Sequence, residues 1–473
     1  MKNHKKLHYI LISFCFIIYL LLSVYNIDGI GLWLDEIMSL DFCDSTFKEM
    51  IRDISEDVHA PLYYIFLHFF IKSMGISEFT SRLPGIIFGI LTIVGLYFLA
   101  KKIINKEYAV LSCFLLSISP FFIEFSREVH PYSLSALLSV MSWLFLIKYL
   151  YEKKTKYIYI YGIFCGLLLL TFYLGIIIIF SQIIFIYFMK ISKKRKINIL
   201  KGLFVCILIF LIWIKQFYYQ IKADEIGVIE NYFPNGIGFF DILNNLGDIF
   251  LGTSLRKFGI FVLIVNIILA FYILSGKKRK PVREIFADNL ILFMFWSSFI
   301  IFTIICLIKP IYLSRYAVLS APFAVLILSR YLYEFKSSIK GLILFIIVFI
   351  FVLGYRGYIL NVPKEDWKGT SEFIISDIKP LDVIVCDSTN AQSCLNYYFF
   401  MNKRKDLMKA NFDIKMFFEL TGGKFNFNDR HLYLLISKTN KINNEINILN
   451  GKNKFLSEHY FKKGFSIRVY TGI

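Results

Sequence analysis

The chain has 473 residues, of which 57% are hydrophobic, and its formal net charge is +19 at pH 7. Apolar stretches long enough to cross a membrane recur from residue 8 to residue 357, which excludes a soluble globular protein. Such a charge would suggest nucleic-acid binding in a soluble protein, but here Lys and Arg crowd into short segments between the apolar stretches. The sequence therefore predicts a polytopic helical membrane protein that contacts membrane lipids and no nucleic acid.

Eleven spans are predicted, because about 20 mostly apolar residues cross the hydrocarbon core. The apolar run 157–190 is too long for one helix, so we divide it near Tyr173 at a tight outer hairpin. The first span is predicted to stay uncleaved, since no small-residue cleavage site follows it. In chain order the spans are 8–26, 83–100, 108–123, 132–149, 157–173, 174–190, 199–217, 258–275, 288–308, 314–333 and 341–357.

Basic residues orient these spans. The segments assigned to the cytoplasm carry 23 Lys and Arg in about 50 residues, whereas the outer segments before residue 361 carry 12 in more than twice that length. Lys and Arg concentrate on the cytoplasmic side of membrane proteins. We therefore expect a multi-pass protein of the plasma (inner) membrane, with a cytoplasmic N-terminus and an extracytoplasmic C-terminal domain.

Two domains are predicted. Residues 1–360 form an α-helical transmembrane domain with two long outer loops, 27–82 and 218–257, and residues 361–473 form a small soluble α/β domain. Long outer loops are common places for function. Periodicity within the soluble domain predicts strands over 381–386, 431–437 and 466–470 and helices over 367–378 and 391–401.

The eight cysteines form no CxxC pair and no metal-ligand spacing. Most lie in apolar spans, where cysteine behaves as a small hydrophobic residue. Outside the spans, a Cys386–Cys394 disulfide and two free thiols are both compatible with the sequence.

Five polar motifs stand at the outer ends of the predicted spans. Ionisable residues at the hydrocarbon edge are costly and usually face a cavity, and cations there can bind a phosphate group. Each motif also has an ordinary alternative, such as a solvated acid pair, a helix cap or an arginine that anchors the interface. In chain order the motifs are Leu32-Trp33-Leu34-Asp35-Glu36, Val58-His59-Ala60-Pro61-Leu62-Tyr63-Tyr64, Ser81-Arg82-Leu83-Pro84, the turn 125–134 with Arg127, Glu128, His130 and Tyr132, and the 309–316 segment with Arg315.

Together the five motifs resemble the GT-C superfamily of membrane glycosyltransferases. Over residues 8–357 the chain looks like the bacterial relatives of protein O-mannosyltransferases and lipid A aminoarabinose transferases. The resemblance implies transfer of a sugar from a polyprenyl-phosphate donor to an acceptor hydroxyl of a protein, lipid or glycan, on the outer face of the membrane. The turn departs from the family pattern, because His130 stands nearer to Pro131 than Glu128 does, which leaves Glu124 as an alternative to Glu128.

The resemblance also implies site residues. The catalytic acids would be Asp35, Glu36 and Glu128, with Asp35 the better candidate for the base. The same residues with His59 could hold a divalent metal or act without one; no other cofactor is expected. The substrate-binding residues would be His59, Tyr63, Arg82, Arg127, His130, Tyr132 and Arg315.

Three other functions remain open from the sequence. A polysaccharide polymerase or ligase would carry catalytic Arg and His in a late outer loop, but residues 218–257 contain no His. A lipid or sugar transporter would place charged or Gly/Pro-broken helices at mid-membrane, whereas the ionisable residues here stand at the outer edge. A binding protein without catalysis is favoured only if the acids do not meet.

Overall fold

A computed structural model describes residues 2–224, 237–275, 280–309, 313–360, 365–380, 382–409, 411–413, 431–436, 454–460 and 466–471. The chain divides into two compact units. The first, here the membrane unit, contains Met1–Ile27 and Phe42–Asn361, and the second, here the α/β unit, contains Asp28–Asp41 and Val362–Ile473. The short stretch 28–41 thus groups with the C-terminal residues, although more than 300 residues separate the two along the chain.

The membrane unit is built from helices. In chain order they are α1 (Lys2–Val24), α2 (Leu34–Asp44, which begins in the α/β unit), α3 (Phe47–Glu56), α4 (Pro61–Met74), α5 (Glu78–Ile103), α6 (Lys106–Ser117), α7 (Pro120–Ser126), α8 (Tyr132–Glu152), α9 (Lys156–Thr171), α10 (Ile176–Phe188), α11 (Lys193–Phe210), α12 (Ile214–Asp224), α13 (Phe239–Leu251), α14 (Gly259–Ser275), α15 (Val282–Ile308), α16 (Ala321–Glu334) and α17 (Ser337–Leu360). Short 3₁₀ segments cover Tyr173–Gly175, Leu211–Trp213, Thr253–Phe258 and Ser314–Ser320.

Within the residues described, eight helices are long and apolar enough to cross a membrane, which confirms a multi-pass membrane protein. The pair Lys106–Ser117 and Pro120–Ser126, bent by 62°, would make a ninth span, and the apolar helices Lys156–Thr171 and Tyr173–Phe188 are shorter. Each of the eleven predicted spans coincides with one of these helices or with the bent pair. Eleven as the number of crossings stays a prediction.

Local sequence explains where α4, α5 and α7 begin. Pro61 occupies the first turn of α4, where its missing N–H costs nothing. Ser77 caps α5 by accepting the N–H of Thr80 at 3.0 Å, and Ser119 stands before Pro120 at the start of α7. The starts of these three helices are therefore set by local residues.

Glycines let two membrane helices approach closely. A Cβ on Gly162 of α9 would lie 2.1 Å from the Gly202 carbonyl oxygen of α11, and a Cβ on Gly202 would lie 2.6 Å from the Ile158 carbonyl oxygen. Such distances exclude any side chain at either position. Small residues drive helix association in membranes because they allow backbone contact where no hydrophobic force acts between helices.

The α/β unit contains a five-stranded sheet with strand order β2-β1-β3-β5-β4. β1 pairs in parallel with β2 and β3, whereas β5 pairs antiparallel with β3 and β4. The elements are α18 (Trp367–Asp377), β1 (Val383–Cys386), α19 (Thr389–Met401), α20 (Lys405–Lys409), β2 (Asn411–Asp413), β3 (His431–Ile436), β4 (Lys454–Tyr460) and β5 (Ser466–Thr471).

The three predicted strands and two predicted helices are present, although residues 381 and 437 at the ends of two predicted strands lie outside the described residues. β2, β4 and α20 are additional to the prediction. β2 is short and polar, and β4 contains charged residues, so neither shows the apolar pattern of a buried strand; their sheet partners determine them. Cys386 and Cys394 are buried free thiols, which excludes the disulfide.

Candidate active site

The acidic segment, residues 28–41, carries two of the three predicted catalytic acids. Glu36 is fully buried, and its carboxylate accepts the backbone N–H of Trp33 at 3.3 Å. This bond caps the N-terminus of α2, so Glu36 has a structural task. Asp35 is half-buried in the first turn of the same helix, where the helix dipole favours a negative charge. Asp35 is thus the more accessible of the two acids.

The outer turn, residues 124–132, carries the third predicted acid. Glu124, Arg127, Glu128 and His130 are each at most 5% exposed, although all four are ionisable. A Cβ on Gly85 of α5 would lie 2.4 Å from the Ser126 carbonyl oxygen, so α5 packs directly against this turn. Burial of four ionisable residues is costly, which is why such groups usually mark a functional cavity.

Glu124 is engaged by another part of the membrane unit. Its carboxylate accepts the Thr253 hydroxyl at 2.6 Å. This contact ties the outer turn to the 3₁₀ segment after α13. The sequence left both Glu124 and Glu128 as candidates for the second acid, and the Thr253 contact gives Glu124 a structural role.

Two predicted phosphate-binding arginines hold the chain where it leaves α1. Arg82 donates to the Ile27 carbonyl at 2.6 Å, and Arg127 donates to the Tyr25 carbonyl at 2.9 Å. The Arg127 guanidinium also lies 5.6 Å from the ring centroid of Tyr358. Among the residues described, Nε and Nη1 of Arg127 are buried without a hydrogen-bond partner. The ligand roles of Arg82 and Arg127 both stay predictions.

Two predicted histidines come together. The His59 and His130 rings lie edge to face with centroids 5.3 Å apart, and the His130 ring lies 4.5 Å from that of Tyr132. Although burial alone would raise the pKa of Asp57, its contact with His59, 3.3 Å from Nδ1 to Oδ1, holds that pKa below the ordinary value. Tyr63 is fully buried and lies edge-on to Tyr64, 5.6 Å between centroids.

A cavity of about 260 Å³ opens beside these histidines. Its polar lining includes the predicted site residues His59 and His130. It also includes four residues that the sequence analysis did not assign to the site, namely Tyr173, Gln220, Lys309 and Tyr316. Lys309 and Tyr316 belong to the fifth motif, and Tyr173 belongs to the predicted outer hairpin, so their positions at outer helix ends could have identified them. Gln220 carried no such signal.

A hydrogen-bond network fixes one wall of this cavity. The Tyr173 hydroxyl donates to Gln220 Oε1 at 2.5 Å and receives the Trp213 indole N–H at 2.9 Å. Gln220 Nε2 in turn donates to the carbonyls of His59 at 3.0 Å and Ile54 at 2.8 Å. The backbone of the His-Ala-Pro motif is therefore anchored to α12.

The segment that carries Arg315 is anchored by α13. Asp248 is fully buried, pairs with Arg256 at 2.8 Å and accepts the Ser314 hydroxyl. Burial raises the pKa of Asp248, against the hydrogen bonds from Arg256 and Ser314 that lower it. Arg315 is half-buried, with its guanidinium 5.8 Å from the ring centroid of Tyr316, a residue that lines the cavity.

Over the part of the chain described, no three His, Cys, Asp or Glu side chains lie close enough together to hold a metal ion. Glu36, one of the four predicted ligands, already caps α2. The predicted metal site at Asp35, Glu36, His59 and Glu128 therefore stays a prediction without structural support.

The sequence resemblance is confirmed by a family model. Residues 58–215 match the model described as dolichyl-phosphate-mannose-protein mannosyltransferase. This range contains the His-Ala-Pro motif, Arg82 and the whole outer turn. No curated protein matches the sequence.

Solved structures identify the fold. The chain is similar to ArnT from Cupriavidus metallidurans bound to undecaprenyl phosphate, with TM-score 0.62, 10% identity and coverage of 97% of both chains. The chain therefore has a GT-C fold. It is also similar to the Archaeoglobus fulgidus oligosaccharyltransferase tethered to an acceptor peptide, with TM-score 0.53 and 14% identity. That match covers 86% of this chain and 64% of the other.

Proposed function

We propose that this protein is a glycosyltransferase that moves a sugar from a polyprenyl-phosphate donor to an acceptor hydroxyl on the outer face of the membrane. The observation that carries the proposal is the GT-C fold over 97% of the chain, in common with a protein whose structure holds undecaprenyl phosphate. The match of residues 58–215 to a mannosyltransferase family model supports it. The acceptor is a protein, a lipid or a cell-surface glycan.

The residues are suited to this chemistry. Asp35 takes the proton of the acceptor hydroxyl. The hydroxyl oxygen attacks the anomeric carbon of the donor sugar, while the bond from that carbon to the phosphate oxygen breaks. Charge then develops on the departing polyprenyl phosphate and on the oxocarbenium-like sugar. Lys309, Arg315 and the two unpartnered nitrogens of Arg127 stabilise the phosphate. Glu128 stabilises the sugar.

This assignment requires Asp35 and Glu128 to share one substrate. We expect their side chains to lie within about 15 Å of each other in a donor-bound structure, close enough for contact through substrate and one water. An experimental structure with donor measures this separation. A larger separation contradicts the shared site.

The direct test is sugar transfer by the purified protein in detergent. The donors are polyprenyl-phosphate sugars, and the acceptors are extracted from membranes that lack the protein. Transfer by wild-type protein, lost in Asp35→Asn and in Glu128→Gln and kept in Asp41→Asn of the same helix α2, supports the proposal. If both Asp35→Asn and Glu128→Gln transfer as wild type does, the proposed site is wrong.

The orientation is also proposed. The concentration of Lys and Arg in alternate segments supports a cytoplasmic N-terminus, with residues 361–473 outside. Reporter fusions at Lys194 and Arg279 should read as cytoplasmic, and a fusion at Asn450 should read as external. A cytoplasmic reading at Asn450 would place Asp35 on the wrong side for a donor at the outer face.

A further inference from the structure

The acidic segment lies against two helices of the α/β unit, α18 and α19. Leu32 is fully buried, and its backbone N–H donates to the Tyr398 hydroxyl of α19 at 2.6 Å. Lys368 of α18 donates from Nζ to the Asp28 carbonyl at 2.7 Å. These contacts join residues more than 330 positions apart in the sequence, so they are set by tertiary structure alone.

The segment also passes too close to these helices for a side chain at Gly31. A Cβ on Gly31 would lie 2.9 Å from Lys368 Cβ and 3.0 Å from the Tyr398 hydroxyl oxygen. Distances below 3.0 Å do not occur between such atoms, so a larger residue must move the segment or the helices. Glycine is needed here for close approach of the backbone.

The last contact is immediately before the proposed base. The Leu34 N–H donates to Glu365 Oε2 at 3.4 Å, and the Trp367 indole N–H donates to the same oxygen at 2.9 Å. Glu365 thus joins the start of α18 to the first residue of α2. The three bonds fall at residues 28, 32 and 34, so the backbone is fixed at intervals up to the residue before Asp35.

We infer that the C-terminal domain is a positioning element of the active site, in which Tyr398, Lys368 and Glu365 set the position of the Asp35 carboxylate. The inference rests on the proposed role of Asp35 as the base. A base must lie within hydrogen-bond reach of the proton that it removes, and small displacements of a reacting group are costly in rate. None of the three residues needs to touch substrate.

The inference is tested with Tyr398→Phe. This change leaves the ring in place and removes only the oxygen that accepts the Leu32 N–H. We expect turnover at saturating donor and acceptor to fall about tenfold, the order expected when a buried N–H loses its partner and the base shifts. The donor KM should stay within about twofold, since the donor phosphate is assigned to other residues.

Tyr433→Phe is the matched control. Tyr433 is a buried tyrosine of the same unit whose hydroxyl donates at 2.9 Å to Asp377, which does not belong to the acidic segment. Both variants should lose similar thermal stability in detergent, but only Tyr398→Phe should lose turnover. Equal turnover in the two variants, with Asp35→Asn inactive, overturns the inference and leaves the proposed function intact.

Gly31→Ala gives a second measurement. It should also lower turnover at unchanged donor KM, because the new Cβ meets Lys368 and Tyr398. The double variant with Tyr398→Phe should fall little below the worse single variant, since both changes displace the same segment. Additive losses show independent effects and contradict the inference. Full turnover in Asp35→Asn instead shows that Asp35 is not the base, and the inference then fails; the proposed site fails only if Glu128→Gln is also fully active.

Discussion

The acidic segment and the outer turn carry the proposed catalytic acids, and they are built in opposite ways. The acidic segment is fixed by hydrogen bonds to α18 and α19 of the α/β unit, and its candidate base is half-buried. The outer turn is enclosed by membrane helices, and its ionisable residues are almost completely buried. The candidate base of the acidic segment is therefore partly exposed, whereas the charged groups of the outer turn are buried.

This difference has a physical consequence. A partly exposed charge can be neutralised with little change in packing, so its loss should lower the rate of the reaction. A buried charge that bonds to backbone carbonyls contributes to folding, so its loss should appear in stability as well. The four predictions below compare the two kinds of effect.

The largest effect is expected in the acidic segment, from Asp35→Asn. The amide keeps the size of the side chain and removes its basicity, so turnover should fall about 10²–10⁴-fold, the usual contribution of general-base catalysis. Donor affinity and thermal stability should stay near wild type. Transfer kinetics and donor binding, measured separately in detergent, check this. A large loss of stability would show that Asp35 contributes to folding, as the buried charges of the outer turn are expected to do.

Arg315→Ala should act on binding. Removal of a charge-assisted contact to phosphate should weaken donor affinity about ten- to a hundredfold. Turnover at saturating donor should change much less than in Asp35→Asn. Binding of a polyprenyl phosphate without sugar measures the effect directly. The exposed Lys257 supplies the control, because Lys257→Ala removes a nearby cation that has no assigned role.

Arg127→Met should act on stability in the outer turn. It removes the bond to the Tyr25 carbonyl and the contact with the Tyr358 ring, and should lower the free energy of unfolding by about 2 kcal/mol. Arg52→Met, at a largely exposed arginine, should change it by less than about 0.5 kcal/mol. Thermal unfolding in detergent ranks the variants. Equal stability of the two would show that burial of Arg127 contributes nothing.

The smallest effect is expected from Glu36→Gln, because the amide oxygen can still accept the Trp33 N–H. Glu36→Ala removes this cap and should cost about 1 kcal/mol of stability, as cap removal usually does. Thermal unfolding of both variants, with turnover measured alongside, separates cap from catalysis. A hundredfold loss of turnover in Glu36→Gln would instead make Glu36 a catalytic acid equal to Asp35.

Much of the fold was predictable from the sequence, because spans and motifs are local signals. Apolar length located the helices, and Pro61 marked the start of α4. The partners of the site were not predictable in the same way. Gln220 and Asp248 look like ordinary loop residues, and they gain their roles only through contacts with Tyr173 and Ser314 on distant elements.

The sequence by itself determined that the chain crosses a membrane many times and that its polar motifs stand at helix ends. Polar groups are costly in hydrocarbon, so the apolar runs and the polar residues between them can be read directly along the chain. Only the tertiary structure decided which distant groups the motif residues contact. Nothing in the sequence indicates that Glu124 accepts the Thr253 hydroxyl of a 3₁₀ segment more than 120 residues away. Only the tertiary structure grouped residues 28–41 with the C-terminal residues, because long-range packing has no local sequence pattern.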